Sequence, residues 1–193
     1  MEWLTQLMRD YGAADELIYA RLAGASGSTS AAAGRAGREL ARSVRARFQS
    51  SEVAEIAESY GIGMVCERWP LAFGSVIYLA EATLKPARIR LNQTAVEAVV
   101  RASGGQEGGW WFGAKAVTET ALAHELYHLL ARRPSQLGVE LAAHAFAREL
   151  VGLPFSPLLY AALLVRSSDS CSGGKFTERR LRSSDSYGLF SRC

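Results

Sequence analysis

The stretch Ala123-His124-Glu125-Leu126-Tyr127-His128-Leu129 decides how this chain is expected to fold, because it contains a complete H-E-x-x-H pattern. On a helix, His124 and His128 are one turn apart and project from the same face. Two imidazoles so placed can each give a nitrogen to one Zn²⁺, and Glu125 then lies beside a zinc-bound water without ligating the metal. The pattern predicts a hydrolytic metal site. The alternative is a helix with two polar core histidines and a surface glutamate.

A third ligand is expected from the next helix. Arg132-Arg133-Pro134-Ser135 ends the first helix, because proline cannot continue a helix and serine is a good N-cap. A second helical pattern runs from about 136 to 151, and one of its faces carries Glu140, Ala143, His144, Ala147 and Val151. Small side chains on this face let the two helices approach closely. Glu140 is therefore predicted as the third zinc ligand, and the alternative is a solvated surface glutamate.

His144 lies one turn beyond Glu140 on the same face. A zinc-bound imidazole usually donates its second ring N–H to a neighbouring polar group, which fixes the tautomer and the orientation of the ring. His144 is predicted to orient His124 or His128 in this way. Two alternatives stay open, namely a half-buried histidine at a helix interface and a competing metal ligand.

The two helices resemble those of the ImmA/IrrE family of small zinc-peptidase-like proteins. The family pattern is an H-E-L-x-H helix, then a helix reading E-x-x-A-[ND]-x-F-A-x-x-L, then a proline. This chain has Glu140-Leu-Ala-Ala-His-Ala-Phe-Ala-Arg-Glu-Leu150, with Pro154 just after it. Residues 51–65 and 87–92 are similar to the family's opening helix and strand and to the strand that precedes its metal helix. The resemblance covers roughly residues 50 to 155.

The resemblance implies an α+β fold with a zincin-like core, in which a small, mostly antiparallel sheet packs on the H-E-x-x-H helix and on a second ligand-bearing helix. It implies a zinc-dependent peptidase in which Glu125 is the general base. The implied substrate is a protein or peptide, such as a DNA-binding repressor. The substrate peptide is expected to lie along an exposed strand edge, at 73–80 or 87–91.

The chain also departs from the family pattern. Tyr127 stands where the family usually has glycine, His144 replaces asparagine or aspartate, and the spacing from His128 to Glu140 is short. These departures favour a competing hypothesis, a catalytically inactive zinc-binding regulatory module that acts by capturing a partner protein.

A glycine-rich segment, 103–115, precedes the metal helix and contains Trp110 and Trp111. It lacks the Walker pattern, because an alanine separates the last glycine from Lys115 and no Ser or Thr follows the lysine. One interpretation is a flap whose two tryptophans, together with Tyr127, line a substrate cleft. The other is a glycine-rich turn whose aromatic side chains plug the core.

The composition indicates a soluble globular protein. The chain has 193 residues, of which 49% are hydrophobic and 21% charged, so one core domain with appendages is expected. A net charge of +3 is too small to argue for direct nucleic-acid binding. There is no membrane-length apolar run and no basic start typical of a signal peptide, and the three cysteines form no motif. A cytoplasmic protein without a membrane partner is expected.

The chain divides into an N-terminal helical region (1–49), a zinc-peptidase-like domain (50–165) and a polar, basic tail (166–193). In the first region an amphipathic helix (3–22) and a flexible connector (23–32) are predicted before a basic helix. That helix, over 33–49, is predicted either to contact phosphates or to have an ordinary solvated face. Further helices are predicted at 51–60, 93–102 and 157–165, and strands near 62–67, 73–80 and 87–91.

Overall fold

The structure is a computed structural model, and it describes residues 2–13, 15, 17–18, 27–48, 50, 52–73, 76–104, 109–131 and 137–172. In these ranges seven α-helices and five short strands form an α+β fold. The helices are α1 (Glu2–Tyr11), α2 (Gly27–Phe48), α3 (Val53–Ser59), α4 (Gln93–Ala102), α5 (Ala114–Ala131), α6 (Leu137–Val151) and α7 (Leu158–Ser172). The strands are β1 (Gly63–Glu67), β2 (Ala72–Phe73), β3 (Val76–Ile77), β4 (Ala80–Leu84) and β5 (Ala87–Asn92).

Three of the strands form a mixed sheet in the order β1-β5-β4. Strand β1 pairs in parallel with β5, whereas β4 pairs with β5 in antiparallel fashion, and β2 and β3 form a separate hairpin. Because β5 is the central strand, it has no free edge. The expectation that 87–91 could receive a substrate peptide along its edge is therefore wrong, and the outer strands of this sheet, among the described residues, are β1 and β4.

Helix α5 lies at the centre of the core. Its sequence is rich in alanine and leucine, which are strong helix formers, and every residue from Thr120 to Leu129 is buried. A helix that is buried on all sides has no solvated stripe, so it must be covered by neighbours around its circumference. Those neighbours include α6, α3, α4 and the two strands β4 and β5.

Helix α2 packs along α6 and uses two of its arginines to hold it. The Arg45 guanidinium donates hydrogen bonds to the carbonyl oxygens of Glu149 (2.7 Å) and Leu150 (2.6 Å), which lie in the last turn of α6. Carbonyl groups in the last turn of a helix have no partner within the helix, so this contact caps α6. Arg42 pairs with the Glu149 carboxylate at 2.9 Å. Part of the basic face predicted from the sequence therefore serves packing within the chain.

Most predicted helices are confirmed, since 51–60, 93–102 and about 136–151 correspond to α3, α4 and α6. The predicted cap Ser135 lies outside the described residues. The prediction of a flexible connector over 23–32 is wrong from residue 27 onward, because α2 already begins at Gly27. Residues 23–26 also lie outside the described part of the chain.

Three predicted boundaries differ from the structure. Helix α1 ends at Tyr11 and a bend follows at residues 12 and 13, so the predicted helix over 3–22 does not run unbroken. Helix α7 continues to Ser172 rather than ending at 165, and the tail from 173 onward lies outside the described residues. The strand predicted at 73–80 is instead the β2–β3 hairpin followed by β4. Among the described helices, none combines the length and apolarity needed to cross a bilayer.

Arg148 of α6 joins three separate parts of the fold. Its guanidinium donates hydrogen bonds to the carbonyl oxygens of Ala13 (2.7 Å), Gly12 (3.1 Å) and Pro154 (2.8 Å). It also lies 3.7 Å from the carboxylate of Asp15, which is buried. The end of α1 and the connection from α6 to α7 are thus held by one side chain.

We expect Arg148→Ala to lower the free energy of unfolding by about 2–4 kcal/mol, because it removes three charge-assisted hydrogen bonds and the cation beside a buried carboxylate. Urea denaturation followed by circular dichroism measures this. The control is Arg42→Ala, which removes an exposed ion pair and should cost about 1 kcal/mol or less. Equal losses in the two variants would contradict the role assigned to Arg148.

Candidate metal centre

The packing of α5 against α6 brings the three predicted ligands together. His124 and His128 lie one turn apart on α5, and Glu140 is the fourth residue of α6. The two Nε2 atoms are 3.1 Å apart. The Glu140 carboxylate oxygens lie 3.3 Å from His124 Nε2 and 3.5 Å from His128 Nε2. All three side chains are buried.

The spacing of these donor atoms fits a tetrahedral ion. With metal–ligand bonds of about 2.0–2.2 Å, two ligand atoms of a tetrahedral site lie about 3.3–3.6 Å apart. The distance between the two imidazole nitrogens and the distance from each nitrogen to one of the two carboxylate oxygens fall in or close to this range. The buried cluster of His124, His128 and Glu140 could therefore hold a metal ion.

Burial keeps the imidazoles of the cluster neutral. It lowers the pKa of His124 from the ordinary value of 6.5 to about 3. The pKa of His128 is lowered to about 4, mainly by burial and in addition by the neighbouring His124, while the Glu140 carboxylate opposes the shift. A neutral imidazole has a free lone pair, so both rings are in the state that binds a metal at neutral pH.

Glu125, the predicted general base, is fully buried beside His124 on α5. Tyr127, predicted to line the cleft, is also buried; its ring packs against Phe146 at 5.6 Å and against His128 at 6.0 Å between centroids. Tyr127 therefore occupies the interface between α5 and α6.

His144, the residue predicted to orient a ligand, lies against His124 with 4.6 Å between ring centroids. Burial lowers its pKa well below 6.5, and a hydrogen bond with the Glu140 backbone opposes that shift. Its nitrogens are not part of the cluster of atoms that could hold an ion. The structure thus places His144 beside His124 of the candidate metal cluster, and whether it orients that side chain stays a prediction.

Trp110 and Trp111 lie in a 3₁₀ turn that leads into α5. Trp110 is 56% exposed, whereas Trp111 packs edge-on against Phe155 with 6.3 Å between centroids. The Trp111 carbonyl accepts a hydrogen bond from the Tyr160 hydroxyl at 2.6 Å. Trp111 therefore packs against the core, as the second interpretation has it, whereas Trp110 faces outward and its place in a substrate cleft stays a prediction.

Trp110 borders a surface groove of about 690 Å³ at the start of α5. The groove is also lined by Glu52, Lys115, Glu119 and Val151, and none of the three cluster residues contributes to it. The structure does not bring Trp110 to the buried cluster. A substrate that reaches the cluster would need the covering elements to open, because His124 and Glu125 have no exposed surface.

Comparison with known proteins gives no relative for this chain: it matches no protein-family model, no curated protein and no solved structure.

The lowered histidine pKa values predict a pH-dependent stability of the chelator-treated protein. Because His124 and His128 bind protons more weakly when folded than at their ordinary pKa of 6.5, the unfolded state binds more protons between about pH 6.5 and 4. The contribution of the two neutral histidines to the free energy of unfolding is complete above pH 6.5 and is lost as the pH falls from 6.5 towards 4. We expect urea denaturation to show a falling free energy of unfolding from pH 7 to 4.5.

The matched variant is His124→Asn, which removes one of the titrating groups. It should reduce the slope of stability against pH, whatever it does to the stability at pH 7. An identical slope in the wild type and the variant would show that His124 does not titrate in this way.

Proposed function

We propose that this chain is a zinc-dependent metallopeptidase-like protein with a zincin-like core, similar to the ImmA/IrrE family. Its substrate would be a cytoplasmic regulatory protein such as a DNA-binding repressor. The observation that supports this most strongly is the buried cluster of His124, His128 and Glu140, in which the two Nε2 atoms are 3.1 Å apart and each lies 3.3 or 3.5 Å from one of the two Glu140 carboxylate oxygens. An H-E-x-x-H pattern alone, or a buried glutamate alone, would be weak support. Here the two histidines of the pattern and the buried Glu140 lie together in one cluster.

The chemistry of the donors favours zinc over other common ions. Mg²⁺ and Ca²⁺ prefer sites made of oxygen ligands, whereas imidazole nitrogens suit zinc and other transition metals. Two neutral imidazoles and one carboxylate form the three-ligand set of many catalytic zinc sites. The fourth position of such a set is available to a substrate or a water molecule.

The reaction proposed for this site is peptide hydrolysis. When bound, zinc supplies an electrophile that polarises the scissile carbonyl and lowers the pKa of water. Glu125 would accept the proton of the attacking water and deliver it to the leaving amine. His124, His128 and Glu140 would hold the ion in place.

The free edge of β4 is the best candidate for binding the substrate backbone. Strand β4 is an edge strand and contacts α5, the helix that carries the two histidines. An extended peptide can add to such an edge through main-chain hydrogen bonds. The sequence predicted that the peptide would bind along 73–80 or 87–91. The first segment includes only the first residue of β4, and the second belongs to the central strand β5.

A second candidate function is supported by the burial of the cluster. His124, Glu125, His128 and Glu140 are all 2% exposed or less. A site closed in this way also suits a structural zinc ion in a regulatory module that acts by capturing a partner protein. Structural zinc sites contribute directly to folding, so removing the ion would then unfold the domain.

The variant Glu125→Gln separates the two functions. If the chain is a peptidase, zinc-loaded Glu125→Gln should retain its metal and lose at least about 100-fold in the rate of peptide cleavage, because general base catalysis is lost. A peptide library analysed by mass spectrometry detects the products. The control is Glu58→Gln, which neutralises an exposed carboxylate of α3 and should cleave like the wild type.

Equal cleavage by Glu125→Gln and the wild type would contradict the role of Glu125. If zinc-loaded wild type cleaves nothing and chelation unfolds it, the result favours the regulatory module.

A further inference from the structure

Glu140 lies in the first turn of α6, so its position depends on how firmly that turn is held. It is the fourth residue of α6, and the first turn of a helix is where the backbone frays most readily. A metal ligand must be held within about 0.5 Å of its productive position. Something outside α6 has to hold this turn against the histidines.

Helix α2 contacts α6 on both sides of Glu140. Ala33 faces Gly138, where a Cβ added to the glycine would lie 4.0 Å from the Ala33 Cβ. One turn further along α2, Gly37 lies against the backbone of Ala142, and a Cβ added to Gly37 would lie 2.1 Å from the Ala142 carbonyl oxygen. The two contacts lie two residues before and two residues after Glu140.

The contact at Gly37 tolerates no side chain. Ordinary contacts of a Cβ atom begin at about 3.4 Å, so an added methyl group must separate the two backbones by at least about 1 Å. That exceeds the tolerance of about 0.5 Å for a ligand, whichever helix moves. If α6 moves, Glu140 moves with it; if α2 moves, the first turn of α6 loses its support.

We propose that α2 is the positioning element of the metal centre, with Gly37 as its key positioning residue: its close approach to Ala142 keeps the first turn of α6, and so Glu140, in reach of His124 and His128. This deepens the proposed function and depends on its metal site. The N-terminal helical region is then a part of the metal centre, and not an appendage of it.

Two glycine-to-alanine substitutions on facing helices test the proposal. Gly37→Ala should weaken Zn²⁺ and Co²⁺ binding at least about tenfold in protein that is still folded by circular dichroism, because the third ligand is loosened. Gly138→Ala should bind either metal as tightly as the wild type or more tightly, because its methyl group fits and alanine favours the helix. Both variants replace a helical glycine by alanine, so a difference between their metal affinities reports the contact between Gly37 and Ala142.

The absorption spectrum of bound Co²⁺ gives a readout that a loss of stability alone would not change. It should change in Gly37→Ala, reflecting altered ligation, and stay unchanged in Gly138→Ala. Wild-type affinity and spectrum in Gly37→Ala would overturn the proposal. An equal loss of affinity in both variants would also overturn it, because it would indicate a general effect of helix packing.

If Gly37→Ala does not fold, a milder pair of variants replaces it. Arg45→Gln removes the cap by which α2 holds the last turn of α6, and should weaken metal binding about threefold or more. Arg47→Gln alters an arginine that lies over the rings of Phe48 and Tyr60, and should bind metal like the wild type. Equal binding by these two variants would overturn the proposal.

A measurement without metal distinguishes failure of this inference from failure of the proposed function. Ring ¹⁵N resonances of His124 and His128 report the Glu140 carboxylate beside them, and they should shift in Gly37→Ala but not in Gly138→Ala. Wild type that binds no metal would refute the proposed function, while these resonances would still decide the inference. Unchanged resonances in Gly37→Ala would overturn it.

Discussion

Burial of polar donors at the centre of the fold is the constraint on which the rest of the structure depends. His124, His128 and Glu140 lie in a core built mostly of apolar side chains, with Glu125 and His144 buried close to them. Polar groups without water must satisfy one another or bind an ion, since an isolated charge in such a place costs several kcal/mol. The donor atoms of the three residues lie within 4.8 Å of one another, where an ion could meet this requirement.

This constraint explains why α5 is enclosed on all sides. A helix whose middle carries residues that could hold a metal ion needs neighbours that exclude water and hold each of these side chains in one rotamer. Strands β4 and β5 cover part of α5, and α6 supplies the third donor. Arg45 of α2 donates a hydrogen bond to the Leu150 carbonyl oxygen of α6, and Arg148 of α6 donates one to the Ala13 carbonyl oxygen. The end of α6 that is far from Glu140 is therefore held as well.

The sequence predicted α5, α6 and the three residues that could hold a metal ion, because helical spacing is a local property that residue order records directly. It did not predict β4, whose residues Ala80-Glu-Ala-Thr-Leu84 include strong helix formers; pairing with β5 overrides that local preference. It also treated the basic helix as peripheral. The small residues Ala33, Gly37 and Ala41 recur every four positions there, a spacing that indicates a close helix crossing, but it does not identify the partner helix.

The most direct test of the account is the zinc content of the protein, measured after loading and desalting, in the wild type beside His124→Ala and Glu140→Ala. We predict one zinc ion per wild-type chain and a loss in both variants, because each substitution removes one of the three proposed ligands. Wild type that holds no zinc would contradict the central claim. Zinc retained undiminished by Glu140→Ala would contradict the ligand set.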